Sequence, residues 1–352
     1  MRHTIVLAVT AALALGSSMN AVALPSDNPF QKPSTLPYQV PPLDKIKNEH
    51  FGPAIEEGMA EQMKEIEAIA TNPAAPTFEN TIVAIERSGD LLTRATDVFY
   101  NLTASNTNPD LEKLQTELAP KLSAHTDSIF LNPQLFARVK TLYEQRADLN
   151  LDPESLRLLE RYYTLFVRAG ANLSEADKAK LRQLNERISS LTTQFRQAVL
   201  KGDNASAIVI DDKSQLDGFS ETQIATAAEA AKARNLEGKW VIPLLNTTQQ
   251  PALSQLKNRD VRERIVKASI NRGWSGEFAT TGLIEEIVKL RAERAALLGY
   301  PNHAAYVLED ATAQNATAVN DMLRKLAPAA VANARKEAME IQQLIDAHAK
   351  AN

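Results

Sequence analysis

An all-α fold is predicted, on three observations. Apolar residues recur every three or four positions through most of the chain. Only 12 of 352 residues are glycine, too few for a turn-rich β architecture. Asx-Pro pairs repeatedly stand where helices would start. With 44% hydrophobic residues, the length suffices for two or three ordinary domains or for one large part of a bigger fold. The formal charge is -4, or -5 when Arg2 is removed with a leader, which leaves no electrostatic case for nucleic acid or an anionic membrane as partner. Zero cysteines exclude disulfides, thiolate zinc sites and a cysteine nucleophile.

Taken in order, Met1, Arg2 and His3 are a short basic start, Thr4 to Gly16 an apolar run, and Ala21-Val22-Ala23 a small-x-small site. This predicts a signal peptide over 1–23, cleavage after Ala23, and a periplasmic or secreted protein. Residues 24–42 carry Pro25, Pro29, Pro33, Pro37, Pro41 and Pro42, which forbid helix and predict an extended strap or linker. Residues 43–352 then form one helical lobe. Asn48 caps a helix to about Ala70, and Thr77 with Asn80 starts one that carries Ile82, Ile85 and Leu92 toward Asn106.

Asn108-Pro109, Asn132-Pro133 and Asp152-Pro153 each read as a cap followed by proline in the first helical turn. Ser174 and Asp177 cap a helix whose Leu181, Leu184, Ile188, Leu191, Phe195 and Val199 form one stripe up to Gly202. Two short strands, Ala207 to Ile210 and Lys239 to Leu244, are expected to pair as a small antiparallel β-hairpin element. Helix resumes near Asn258 and again at Thr281, where Leu283, Ile287, Leu290 and Leu297 face inward while Glu285, Arg291 and Arg294 face water. Gly299 and Pro301 end that helix, and Asn302 caps the next. The last helix, from about Asn315, has Val319, Leu323, Leu326, Ala330, Ala334, Ala338, Ile341 and Ile345 on one side and reaches the terminus without a stop signal, which reads as an interrupted fold.

No catalytic, cofactor or metal residue is assigned. A zinc peptidase helix needs histidines at i and i+4 with a glutamate beside the first. His3, His50, His125, His303 and His348 are all isolated, and none is followed by glutamate. His50 is expected to cap or pack. Gly273-Trp274-Ser275-Gly276 misses the spacing of a nucleophile elbow, and Gly238-Lys239 lacks a phosphate loop and is expected to start a strand. The cluster Lys257, Arg259, Arg262, Arg264, Lys267 and Arg272 is interleaved with Asp260 and Glu263, so a salt-bridged helix face is predicted.

Five runs carry a resemblance: PTFENTIVAIERSG from Pro76, PKLSAHTDSIFLNPQLFARV from Pro120, LERYYTLFVRAGANL from Leu159, LEGKWVIPL from Leu236 and LRAERAALLGYPNHAAYVLED from Leu290. From about Leu43 onward the chain resembles the N-terminal portion of the peptidyl-dipeptidase and thimet-oligopeptidase family of zinc metallopeptidases. The resemblance implies an elongated all-α lobe that forms the wall and lid of a channel admitting short unstructured peptides. In the family, a His-Glu-x-x-His helix in the C-terminal half binds zinc, and C-terminal dipeptides are released. That motif is absent here, so this chain is expected to bind no zinc and to be inactive alone. Its expected partners are short peptides and a separate catalytic half docking on the Val319 to Ile345 stripe. A non-catalytic helical peptide-binding module is the other reading.

Overall fold

The computed structural model describes residues 24–351; the predicted signal segment 1–23 lies outside the described residues. The chain divides into two compact units, Met1–Leu114 with Glu144–Asn150, and Gln115–Tyr143 with Leu151–Asn352. Helix dominates both.

In the first unit the proline-rich arm is part strap, part loop. Leu24, Asn28 and Phe30 are buried, Asn28 Nδ2 donates to the His50 carbonyl at 3.0 Å, and the Phe30 and Phe51 rings lie 5.4 Å apart. Beyond them Pro37–Gln39 form a short 3-10 turn with Tyr38 fully exposed. Helix α1 (Asn48–Ala70) begins where His50 Nδ1 accepts from the Lys47 amide at 3.1 Å, so this histidine caps the helix as expected. Thr77 and Asn80 form a reciprocal capping box, the Asn80 amide donating to Thr77 Oγ1 and the Thr77 amide to Asn80 Oδ1. The segment they start is a π-turn (Phe78–Val83) running into the single turn α2 (Ala84–Glu86).

The expected continuous helix through Leu92 does not form. Gly89 adopts φ +77°, a left-handed conformation open to glycine, and its amide donates to Glu65 at 2.8 Å. A separate helix α3 (Asp90–Ser105) then packs on α1 at another angle to the chain, close enough that a Cβ on Gly58 would lie 2.7 Å from the Leu92 backbone. Phe51, Ile55, Ile66, Ile82 and Phe99 are fully buried between these helices.

The three Asx-Pro devices start α4 (Pro109–Phe130), α5 (Pro133–Glu144) and α6 (Pro153–Ala169). In each, the Asn108, Asn132 or Asp152 side chain accepts two amides of the first turn at 3.0–3.1 Å. Ser174 caps α7 (Glu175–Ala205), which runs past the predicted stop at Gly202: that glycine is buried under Phe278 and holds helical geometry. Strands β1 (Ile208–Ile210) and β2 (Trp240–Ile242) pair antiparallel, Val209 opposite Val241, with α8 (Glu221–Lys232) between them in sequence. The small core over this pair holds Ile210, Leu216, Ile242, Leu256, Val261 and Ile265.

Residues 246–255 form α9 (Asn246–Gln255), started by Thr248 folding its hydroxyl back on the Pro243 carbonyl. Helix α10 (Arg259–Ile270) carries four of the six basic residues: Lys267 pairs with Glu263 on the helix, Arg262 and Arg264 donate to the Leu256 and Val209 carbonyls, and Lys257 and Arg272, outside the helix, pair with Asp217 and Asp203. Then follow α11 (Thr281–Leu297), α12 (His303–Leu308), capped by Asn302, and α13 (Ala316–Ala351).

Candidate functional site

Among the described residues, a cluster of aromatic and charged side chains lies where α4, α6, α7, α11 and α12 of the second unit meet. Its centre is Tyr306. Helix α6 is amphipathic, and its inner face carries Leu159 and Phe166 into the core. Arg168, two residues beyond Phe166, reaches across to α12. Its Nη1 donates to Glu309 at 2.6 Å, its Nη2 to the Tyr306 carbonyl at 2.8 Å, and its guanidinium sits 4.6 Å from the Tyr306 ring centre. Arg294 of α11 places a second guanidinium 5.4 Å from the same ring. Tyr300 packs edge-on to Tyr306, and its hydroxyl donates to Glu309. Arg161 donates to Asp310 at 2.6 Å.

Arg294 is therefore not the water-facing residue that helical periodicity assigned to it. Burial lowers its pKa, and its Nη1 donates to Asn185 Oδ1 at 3.3 Å. A pattern based on apolar positions treats every arginine as solvent-facing. The planar aromatic twelve residues later, onto which the guanidinium could stack, was the available signal. Asn185 Nδ2 donates in turn to Asp127 Oδ1 at 2.8 Å. Asp127 is buried, and burial pushes its pKa up to about 6 against the opposing pull of Asn185, Arg182 and Arg294. Burial also raises the Tyr300 hydroxyl to about 12, helped by Glu309, and lowers His303, with Arg291 and Arg294 acting in the same direction.

Beside this network lies a cavity of about 270 Å³ lined by Phe130, Leu165, Arg168, Ala169, Tyr306 and Asp310. Its walls are mostly apolar, with one cation and one carboxylate, a lining that fits an apolar side chain flanked by polar backbone. Nothing in it is a nucleophile paired with a base. The histidines among the described residues stay apart: His50 caps α1, His125 is buried on α4 with its pKa lowered by burial, His303 abuts Tyr306, and His348 lies on α13. Among the described residues no three His, Cys, Asp or Glu side chains gather closely enough to hold a metal ion. These residues do not fit the zinc that the resemblance implies, and no step is assigned to a metal here.

The chain is 45% identical to dipeptidyl carboxypeptidase of Escherichia coli over 320 residues, 91% of the chain and 47% of that protein. Dipeptidyl carboxypeptidase of Salmonella typhimurium is 44% identical over 322 residues, with the same shares covered. Oligopeptidase A of Escherichia coli is 25% identical over 315 residues, 88% of the chain and 46% of that protein. The chain thus spans about half the length of the curated relatives it matches. Residues 252–352 match the family described as Peptidase family M3, from α9 through α13. Identity at this level across nine-tenths of the chain, joined to that match, means that the chain belongs to peptidase family M3.

Proposed function

We propose that the chain is the helical, substrate-admitting part of a zinc-dependent metallopeptidase that releases C-terminal dipeptides from short peptides in the periplasm or outside the cell. The observation that carries this reading is the 45% identity, over 91% of the chain, to a protein named dipeptidyl carboxypeptidase. Catalysis on this reading needs a His-Glu-x-x-His segment, which the 352 residues lack. On this reading that segment lies in the part of the relatives' length that the chain does not span.

The test is reconstitution. The chain is purified alone and mixed with a polypeptide covering the rest of the Escherichia coli relative, and zinc content and dipeptide release are measured. Release by the mixture but not by either part supports the reading; release by the chain alone overturns it. The cavity beside Tyr306 favours a second reading, a helical peptide-binding module with no turnover. Saturable peptide binding to the chain, with no dipeptide release from the mixture, would establish that reading instead.

A further inference from the structure

Two guanidinium groups share the ring of Tyr306, and they are not neutralised alike. Arg168, 4.6 Å from the ring centre, touches a carboxylate directly, its Nη1 donating to Glu309 at 2.6 Å. Arg294, 5.4 Å from the same centre, reaches one only through an amide. Its Nη1 donates to Asn185 Oδ1 at 3.3 Å, and Asn185 Nδ2 donates to Asp127 Oδ1 at 2.8 Å. Arg291 repels Arg294, and among the described residues Asp127 is the one carboxylate whose charge draws it.

The amide in the middle has a single workable orientation. An ionised carboxylate only accepts and a guanidinium only donates, so Asn185 turns its NH2 to Asp127 and its carbonyl to Arg294. Ionised Asp127 thereby polarises Asn185 in the sense that holds Arg294. The other carboxylate oxygen, Oδ2, is buried and has no hydrogen-bond partner among the described residues. A proton taken up there leaves the Asn185 bond in place and removes the charge behind it.

The charged groups that act on Asp127 come from two other helices, Arg182 of α7 and Arg294 of α11, and both are cations. Helix α6 meets α4 through the apolar pair Phe166 and Phe130, with ring centres 5.0 Å apart. On α4 itself the nearest titratable group in sequence is His125, also buried. Because Arg294 favours the ionised carboxyl, the ionised carboxyl favours Arg294 in place, and the neutral one releases it. Burial is the stronger influence and pushes the Asp127 pKa up to about 6, so the change falls in mildly acid medium.

We propose that Asp127 is a positioning residue for Tyr306, acting through Asn185 and Arg294, and that proton uptake by its carboxyl frees Arg294 from the ring and loosens that wall of the cavity. The wall is firm in neutral medium and slack in acid. This holds whichever function the cavity serves, because it concerns the wall and not turnover.

The full 352-residue chain, labelled with 13C in its seven tyrosine rings, is titrated by NMR from neutral to mildly acid pH, and Tyr306→Phe identifies the Tyr306 signal. The His303 ring lies 6.2 Å from that of Tyr306, so the titration is run in the His303→Gln chain to remove its direct influence. There the Tyr306 signal should move in one step centred near the Asp127 pKa of about 6. Adding Asp127→Asn should abolish the step and hold the signal at its acid position, since an amide is neutral at every pH. Asn185→Ala cuts the link while leaving the carboxyl, and should abolish the step too; it decides alone if Asp127→Asn fails to fold. The stacked Tyr143 and Tyr163 should stay still, which separates a local change from acid unfolding. A Tyr306 signal that does not titrate, a step that survives Asp127→Asn or Asn185→Ala, or a step shared by Tyr143 and Tyr163 would each overturn the proposal.

Discussion

Arg168 holds Tyr306 twice, stacking its guanidinium 4.6 Å from the ring centre and donating to the same residue's carbonyl at 2.8 Å. With the further bond to Glu309, one side chain fixes α12 to α6 and forms part of the cavity wall.

Arg168→Ala should therefore destabilise the chain by about 2–4 kcal/mol, the sum expected for a lost charged hydrogen bond, a lost carbonyl contact and a cation–π contact in a nearly buried setting. Arg168→Lys keeps the charge but loses the planar fork, and about half of that loss should remain. The shift in urea midpoint measures both.

The pH dependence of stability should carry the mark of Asp127. Its folded pKa of about 6 lies above the ordinary 3.8, so the native state binds the proton more tightly than the unfolded chain does. Its contribution is thus fully present below about pH 4 and is lost as pH rises to about 6, a swing on the order of 2–3 kcal/mol at most. His125 acts with the opposite sign, since its folded pKa is lowered and protonation on acidification favours unfolding. Asp127→Asn should remove the first slope and leave the second, as read from urea midpoints measured between pH 4 and 7.

Gly58→Ala places two effects against each other. Alanine gains about 1 kcal/mol in helix propensity, but its Cβ would stand 2.7 Å from the Leu92 backbone, and overpacking costs about 1–3 kcal/mol. Because the obstacle is main chain and cannot rotate away, the substitution should be net destabilising. A rise in the urea midpoint would contradict the α1–α3 spacing.

Phe30→Ala tests the strap. Phe30 is 4% exposed and packs on Phe51, and Arg94 donates to its carbonyl at 3.0 Å. A loss of about 2–4 kcal/mol is expected, with faster proteolysis within residues 24–47. An unchanged midpoint would mean that the arm is a linker throughout.

Much of the fold was legible because its signals are local. Asn108, Asn132, Asp152, Ser174 and Asn302 each cap the helix that their side chains announced, and Gly299 ends α11 in the left-handed conformation that favours glycine. The misses have tertiary causes. Gly202 looks like a stop but is covered by Phe278, and Gly89 splits a continuous apolar pattern because its amide finds Glu65 on another helix. The cluster around Tyr306 was illegible for the same reason: Asp127, Asn185 and Arg294 are separated by 58 and 109 residues and become neighbours only when three helices pack. No spacing rule encodes that.

The seated end of the arm also sets an order of events during synthesis. Asn28 waits for His50, 22 residues on, and Phe30 for Arg94, 64 residues on, so the earliest described residues leave the ribosome well before their seat exists. The arm is made before its seat, and until Arg94 has been translated and α3 has formed, Phe30 remains available to chaperones or to other nascent chains.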